Sequence, residues 1–164
     1  IVERGMVCLD NQKFWGAPNA TRAVIWTLLP GANEGKPDPY ETLKQSVQIG
    51  EQKGVRLSHA LYAVAAQASG DDAKIRDALK TYAASQADDK PVNPNFKLID
   101  SMAGLIVRGI SDRYWTEHTG VRTGDDGMSH FWDEKNEGSA ELDELFDGGA
   151  ASEAPTDTKT APAQ

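Results

Sequence analysis

From Asp38 to Ile110 the apolar residues return at intervals of three and four, broken by residues that start and stop helices; this pattern commits the chain to a helical fold. Asp38-Pro39-Tyr40-Glu41 places a capping residue, a proline suited to a first helical turn and an acid three residues after the cap. Tyr40, Leu43 and Val47 then form a narrow apolar stripe, Gly50 weakens the end of the helix and Gly54 closes it. Ser58 opens a second helix, alanine-rich from Ala60 to Ala68 so that a neighbour approaches its backbone closely, with Gly70 as the stop. Asp71 restarts the chain, and Ile75, Ala78, Leu79 and Tyr82 give a third helix that forms a tight antiparallel hairpin with the second.

Gln86 to Pro94 has no period and reads as a loop. Phe96 to Ile110 carries Phe96, Leu98, Ile99, Met102, Leu105, Ile106, Val107 and Ile110 on more than one face, which predicts a central helix packed on several sides. Gly104 and Gly109 inside it point to a close helix approach or a small kink.

The ends are less regular. Met6-Val7-Cys8-Leu9, bounded by Gly5 and Asp10-Asn11, suits a strand, whereas Ala23-Val24-Ile25-Trp26 follows the caps Asn19 and Thr21 and starts a helix stopped by Pro30-Gly31. After Arg113, Tyr114, Trp115, His118, His130, Phe131 and Trp132 bracket a glycine-rich stretch that fits a hairpin turn at Gly124-Asp125-Asp126-Gly127. Beyond it acids, Ala, Thr, Pro and Ser dominate, a composition that buries too little apolar surface to repay ordering. The expected fold is mainly α: a compact four- to five-helix domain over residues 1–133 with a minor β or hairpin portion, followed by a disordered acidic tail over 134–164. At 39% the apolar content is low for a packed globule, and the tail accounts for the shortfall.

Charge and cysteine usage narrow the function classes. Asp and Glu outnumber Lys and Arg by 25 to 17, a net charge of -8, which disfavours nonspecific attraction to a nucleic-acid backbone. The single Cys8 excludes an internal disulfide and a cysteine-based zinc site; set among Met6, Val7 and Leu9, it reads as a small core hydrophobe in a reducing compartment. No stretch approaches the roughly twenty apolar residues that span a bilayer, and the opening residues lack a signal peptide's basic start and long apolar centre. A cytoplasmic location is expected, or a virion-associated one for a phage protein.

Catalytic motifs are weak. Gly31-Ala32-Asn33-Glu34-Gly35-Lys36 has one residue too few between its glycines for a phosphate loop and runs into Pro37 rather than Ser or Thr. Ser58-His59 stands at a helix start where adjacent side chains diverge, so a cap and a surface imidazole explain it. Asn19-Ala20-Thr21 is a formal glycosylation acceptor, better read as a helix cap. The one chemically suggestive set is His118, His130 and Asp133, with Glu117 and Glu134 nearby: these are zinc-ligand types, and a hairpin near residue 125 would draw the two histidines together for a small metal-dependent enzyme. Trp115 and Trp132 flank them as strands packing aromatic rings would, so packing is preferred over metal, and no cofactor is expected.

The tail holds one exception to its composition. Ser139 is placed to cap a short helix over 139–147 in which Leu142, Leu145 and Phe146 share one face amid Glu141, Asp143, Glu144 and Asp147, the make-up of a peptide that folds into a partner's groove, with packing back on an apolar patch of its own domain as the rival reading. Glu141-Leu142-Asp143-Glu144-Leu145-Phe146 resembles, over these six residues, the peptides that dock on bacterial sliding clamps and the acidic tails of single-strand-binding proteins. It departs from the first in its start and spacing and from the second because the chain continues to Gln164, so no family follows from it.

The expected function is non-enzymatic: a protein-protein interaction or assembly factor, of the kind common among phage accessory proteins, binding a protein partner through Leu142, Leu145 and Phe146 with Trp115 and Trp132. The alternative is a single-strand nucleic-acid accessory protein, with Arg108, Arg113, Arg122 and Lys135 gathered beside the two tryptophans.

Overall fold

Helix starts are written locally, and the backbone follows them. In the computed structural model, which describes residues 1–86, 90 and 92–134, the Asp38 carboxylate accepts the Glu41 amide at 2.8 Å and opens α3 (Pro39–Lys53), which Gly54 closes with φ of 69°. Gly70, at φ 64°, ends α4 (Leu57–Ser69), and Asp71 at once caps α5 (Asp72–Ala84) by accepting the Lys74 amide at 3.2 Å. The two helices joined by this two-residue link pack on each other. Upstream lie α1 (Val2–Val7) and α2 (Ala17–Leu28); downstream, a single 3-10 turn at Pro94–Phe96 leads into α6 (Lys97–Thr119).

No strand occurs among the described residues. Met6-Val7, expected in a strand, is the end of α1, which has no fully buried residue and is tied to α2 by a 3.1 Å pair between Glu3 and Arg22. A four-residue apolar run carries no period of its own, so it could not decide between the two. Cys8 is exposed rather than core. The expected hairpin beyond Arg113 is also replaced: α6 runs on to Thr119 and stops at Gly120, because Val107, Ile110 and Tyr114 continue one buried face. Residues 124–130 make compact turns instead, with the Gly127 amide donating to Gly124 and the His130 amide to Asp126.

The helix at the centre is α4, not α6. Ala60, Ala63, Ala65 and Ala66 are buried, and such small side chains let α2, α3, α5 and α6 all lie against one axis. Tyr62 reaches from α4 to Asp77 of α5 through its hydroxyl, and Tyr40 of α3 donates to the Ala65 carbonyl at 3.3 Å. The entry to α2 depends on Gly16, whose φ of 79° and closeness to the Ser46 carbonyl leave no room for a Cβ.

The chain divides after Phe131. Of the second unit, Trp132 to Gln164, the described residues are Trp132, Asp133 and Glu134. Lys135 and the Leu142, Leu145 and Phe146 motif lie outside the described residues.

Candidate functional site

α6 has two unlike faces. Asp100, Ala103, Val107, Ile110, Ser111 and Tyr114 are buried, at the three- and four-residue spacing of one helix face. On the opposite side Leu98 and Leu105 are each 74% exposed, Met102 55% and Ile106 41%. At 3.6 residues per turn, Leu98, Met102, Leu105 and Gly109 fall within a strip about 60° wide. The segment expected to be packed on several sides is thus packed on one, and its largest aliphatics face water.

A buried ion pair sets which way α6 faces. Asp100, in the first turn of α6, accepts the Arg56 amide at 3.0 Å through Oδ1 and the Arg56 Nη1 at 2.9 Å through Oδ2. The same guanidinium donates to the Ser85 carbonyl from Nε at 3.1 Å and from Nη2 at 2.9 Å. One arginine therefore joins the start of α4, the end of α5 and the start of α6. Both side chains are nearly enclosed, 12% and 10% exposed, so rotating α6 to bury its aliphatics would strand a charge. Sequence reasoning missed this pair. Its signal was the single acid between Phe96 and Ile110.

Downstream, the segment after Gly120 folds back on α6. Thr123 donates through its hydroxyl to the Ser111 hydroxyl at 2.8 Å and through its amide to Asp112 at 3.2 Å, while Arg108 donates to the Thr123 carbonyl at 2.9 Å and pairs with Asp112 at 3.3 Å. Trp115 donates from Nε1 to the Gly127 carbonyl at 2.7 Å and stacks on Phe131 with ring centres 6.3 Å apart. Tyr114 also meets Phe131 edge-on, and the Arg76 guanidinium lies 4.8 Å from that ring. Trp115 thus pins the segment from residue 120 to 131, an aromatic packing role with Phe131 as its partner.

The remaining candidates separate. Arg113 and Arg122 do come together, lining one open depression with Asp112, Thr116 and Glu117, while Arg108 is engaged with Thr123. His118 donates from Nδ1 to the Tyr114 carbonyl at 2.8 Å, and its Nε2 lies 3.9 Å from Asp72. It borders a cleft of about 290 Å³ with Gln67, Arg113 and Glu117. His130 is exposed in the turn that follows, and among the described residues no three His, Cys, Asp or Glu side chains are grouped to hold a metal ion.

His59, expected as a surface imidazole, is 1% exposed. Its Nε2 meets Glu51 Oε1 at 3.2 Å, and Glu51 also pairs with Lys90 at 3.5 Å. Burial holds the imidazole below its ordinary pKa, an effect the Glu51 carboxylate offsets only in part. Ser58 is buried beside it, but its hydroxyl donates to the Trp15 carbonyl at 3.1 Å, so the two form no nucleophile-base pair. The Glu51 contact crosses the Gly54 turn and has no mark in the local sequence.

No helix among the described residues is long and apolar enough to cross a membrane. Compared with known proteins, the chain matches no family model, no curated protein and no solved structure.

Proposed function

We propose that the chain is a non-enzymatic accessory or assembly protein that binds another protein, with the outer face of α6 as its docking surface. One observation carries this reading: Leu98, Met102, Leu105 and Ile106 stand in water on a rigid helix whose other face is locked inward by Arg56 and Asp100. Contiguous exposed aliphatics of this kind mark interaction sites. Burying a leucine-sized side chain contributes about 1.5–3 kcal/mol, so a partner covering three of these residues gains several kcal/mol before ordering costs. The Leu142, Leu145 and Phe146 motif is a second element of the same role, offered to a groove on the partner rather than forming a surface itself.

The test places a photo-crosslinking amino acid at Met102 and, as a control, at exposed Lys36, in cells producing the full chain. The reading expects one discrete protein adduct from position 102, abolished by Leu105→Glu and absent from position 36. Identical adducts from both positions, or an adduct indifferent to Leu105→Glu, would sink it.

A further inference from the structure

The outer face of α6 also indicates which partner fits it, an inference that rests on the docking reading above and names that partner. Leu98, Met102, Leu105 and Gly109 run down the middle of the face. One border is Lys97, Ser101, Arg108 and Asp112, within about 60° of one another around the axis; the other is Ile99 and Ile106. The first border changes sign along its length, with Lys97 at its start and Asp112 at its end. Arg108 and Asp112 pair at 3.3 Å with side chains 47% and 27% exposed, so both still reach solvent. At Gly109 no atom lies within 4 Å of where a Cβ would stand, which leaves a gap in the middle of the face one turn beyond Leu105.

We propose that the partner is a second copy of this chain, packed antiparallel on the first through α6 about a twofold axis. Such an interface needs a surface that complements itself when reversed, and one register matches the middle and both borders together. With Met102 set opposite Leu105 of the second copy, and Leu105 opposite its Met102, Leu98 stands over the gap at Gly109. On the aliphatic border Ile99 then lies beside Ile106 of the second copy. On the polar border Lys97 faces Asp112 and Ser101 faces Arg108, each pair offset by about 3 Å along the axis. Parallel copies fit worse: each polar border would meet the other copy's aliphatic border, desolvating Lys97 and Arg108 against Ile99 and Ile106. Most of the net charge of -8 sits in residues 134–164, which hold eight acids and two lysines, so the helical domains themselves repel weakly. Contact from Leu98 to Asp112 runs for about 20 Å, short for a permanent dimer, so paired and free chains exchange. The Arg56 and Asp100 pair holds α6 in place in either state.

Sedimentation equilibrium of the full chain over a range of concentrations reads the association directly. Expected is a reversible dimer whose dissociation constant rises roughly tenfold or more with Leu105→Glu and about threefold with Lys97→Glu, which sets a like charge against Asp112. The register is read by disulfide trapping in a Cys8→Ser background, since Cys8 is exposed. Chains with Leu98→Cys mixed with chains with Gly109→Cys should link under mild oxidation. Leu98→Cys alone should not, because its twin lies about 16 Å away along the axis. Circular dichroism checks that each variant is folded. Urea unfolding is compared in solutions dilute enough to be monomeric, so that lost association is not read as lost stability. A monomer at every concentration, a dimer indifferent to Leu105→Glu or to Lys97→Glu, or a linked pair from Leu98→Cys alone overturns the second-copy inference. The Met102 crosslink separates the two readings: an adduct of twice the chain's mass supports the second copy, whereas an adduct with a different protein overturns it and leaves the docking reading standing.

Discussion

Replacing Asp100 by alanine removes the acceptor of two Arg56 donors and leaves a guanidinium that is 12% exposed, with the carbonyls of Ser85 and Lys90 as its remaining acceptors among the described residues. Breaking a buried ion pair by deleting one partner costs about 3–5 kcal/mol, because the charge that remains is not rehydrated. Asp100→Asn keeps an acceptor of the same shape and should cost less, about 1–2 kcal/mol. Replacing both members by apolar side chains, Arg56→Met with Asp100→Leu, strands no charge and should restore more than half of the loss caused by Asp100→Ala. The assay is urea unfolding followed by tryptophan fluorescence, with midpoint and slope compared across the four proteins. Against a typical total of about 5–15 kcal/mol, the Asp100→Ala loss is a large fraction and should lower the thermal midpoint by roughly 10 °C. A loss below about 1 kcal/mol, or a double variant less stable than Asp100→Ala, would refute the argument that this pair orients α6.

Two other predictions follow from burial. Burial holds the His59 pKa in the folded chain below the ordinary value of about 6.5 that applies when unfolded, so as pH falls through that value the unfolded state takes up the proton more readily and stability should fall as pH drops from 7 to 5.5; His59→Gln should flatten that slope, and equal slopes would refute it. Cys8 is exposed on the folded chain, so it should react with a thiol reagent at the same rate with and without denaturant; strong protection in the native state would return it to the core.

What was legible in the sequence is what neighbours along the chain decide. Asp38 caps Glu41, Asp71 caps Lys74, and Gly54 and Gly70 terminate helices through hydrogen bonds spanning a few residues, so composition at those points was enough. The mainly helical architecture follows from these and from the apolar spacing. The rotation of α6 was not legible, because its aliphatics cover more than half of the helix circumference and the pattern admits several buried faces. Arg56 decides among them from a position far back in the chain. The centrality of α4 was hidden for a related reason: alanines contribute little apolar bulk, yet their small size is what allows four neighbours to close around one helix. Ser58 reads as a cap and His59 as a surface imidazole, yet both are buried beside partners outside their own helix, the distant Trp15 carbonyl for Ser58 and Glu51 across the Gly54 turn for His59. Trp115, expected to pack against aromatic rings across a hairpin, stacks on Phe131 in the turns that follow α6.

The central claim is that α6 shows water an aliphatic face that serves docking rather than folding, and Leu105→Glu tests it most directly. With the wild-type side chain 74% exposed, the substitution should leave stability within about 0.5 kcal/mol in urea unfolding while abolishing the Met102 crosslink. A stability loss of about 2 kcal/mol or more would mean that Leu105 belongs to the core, and would contradict the account.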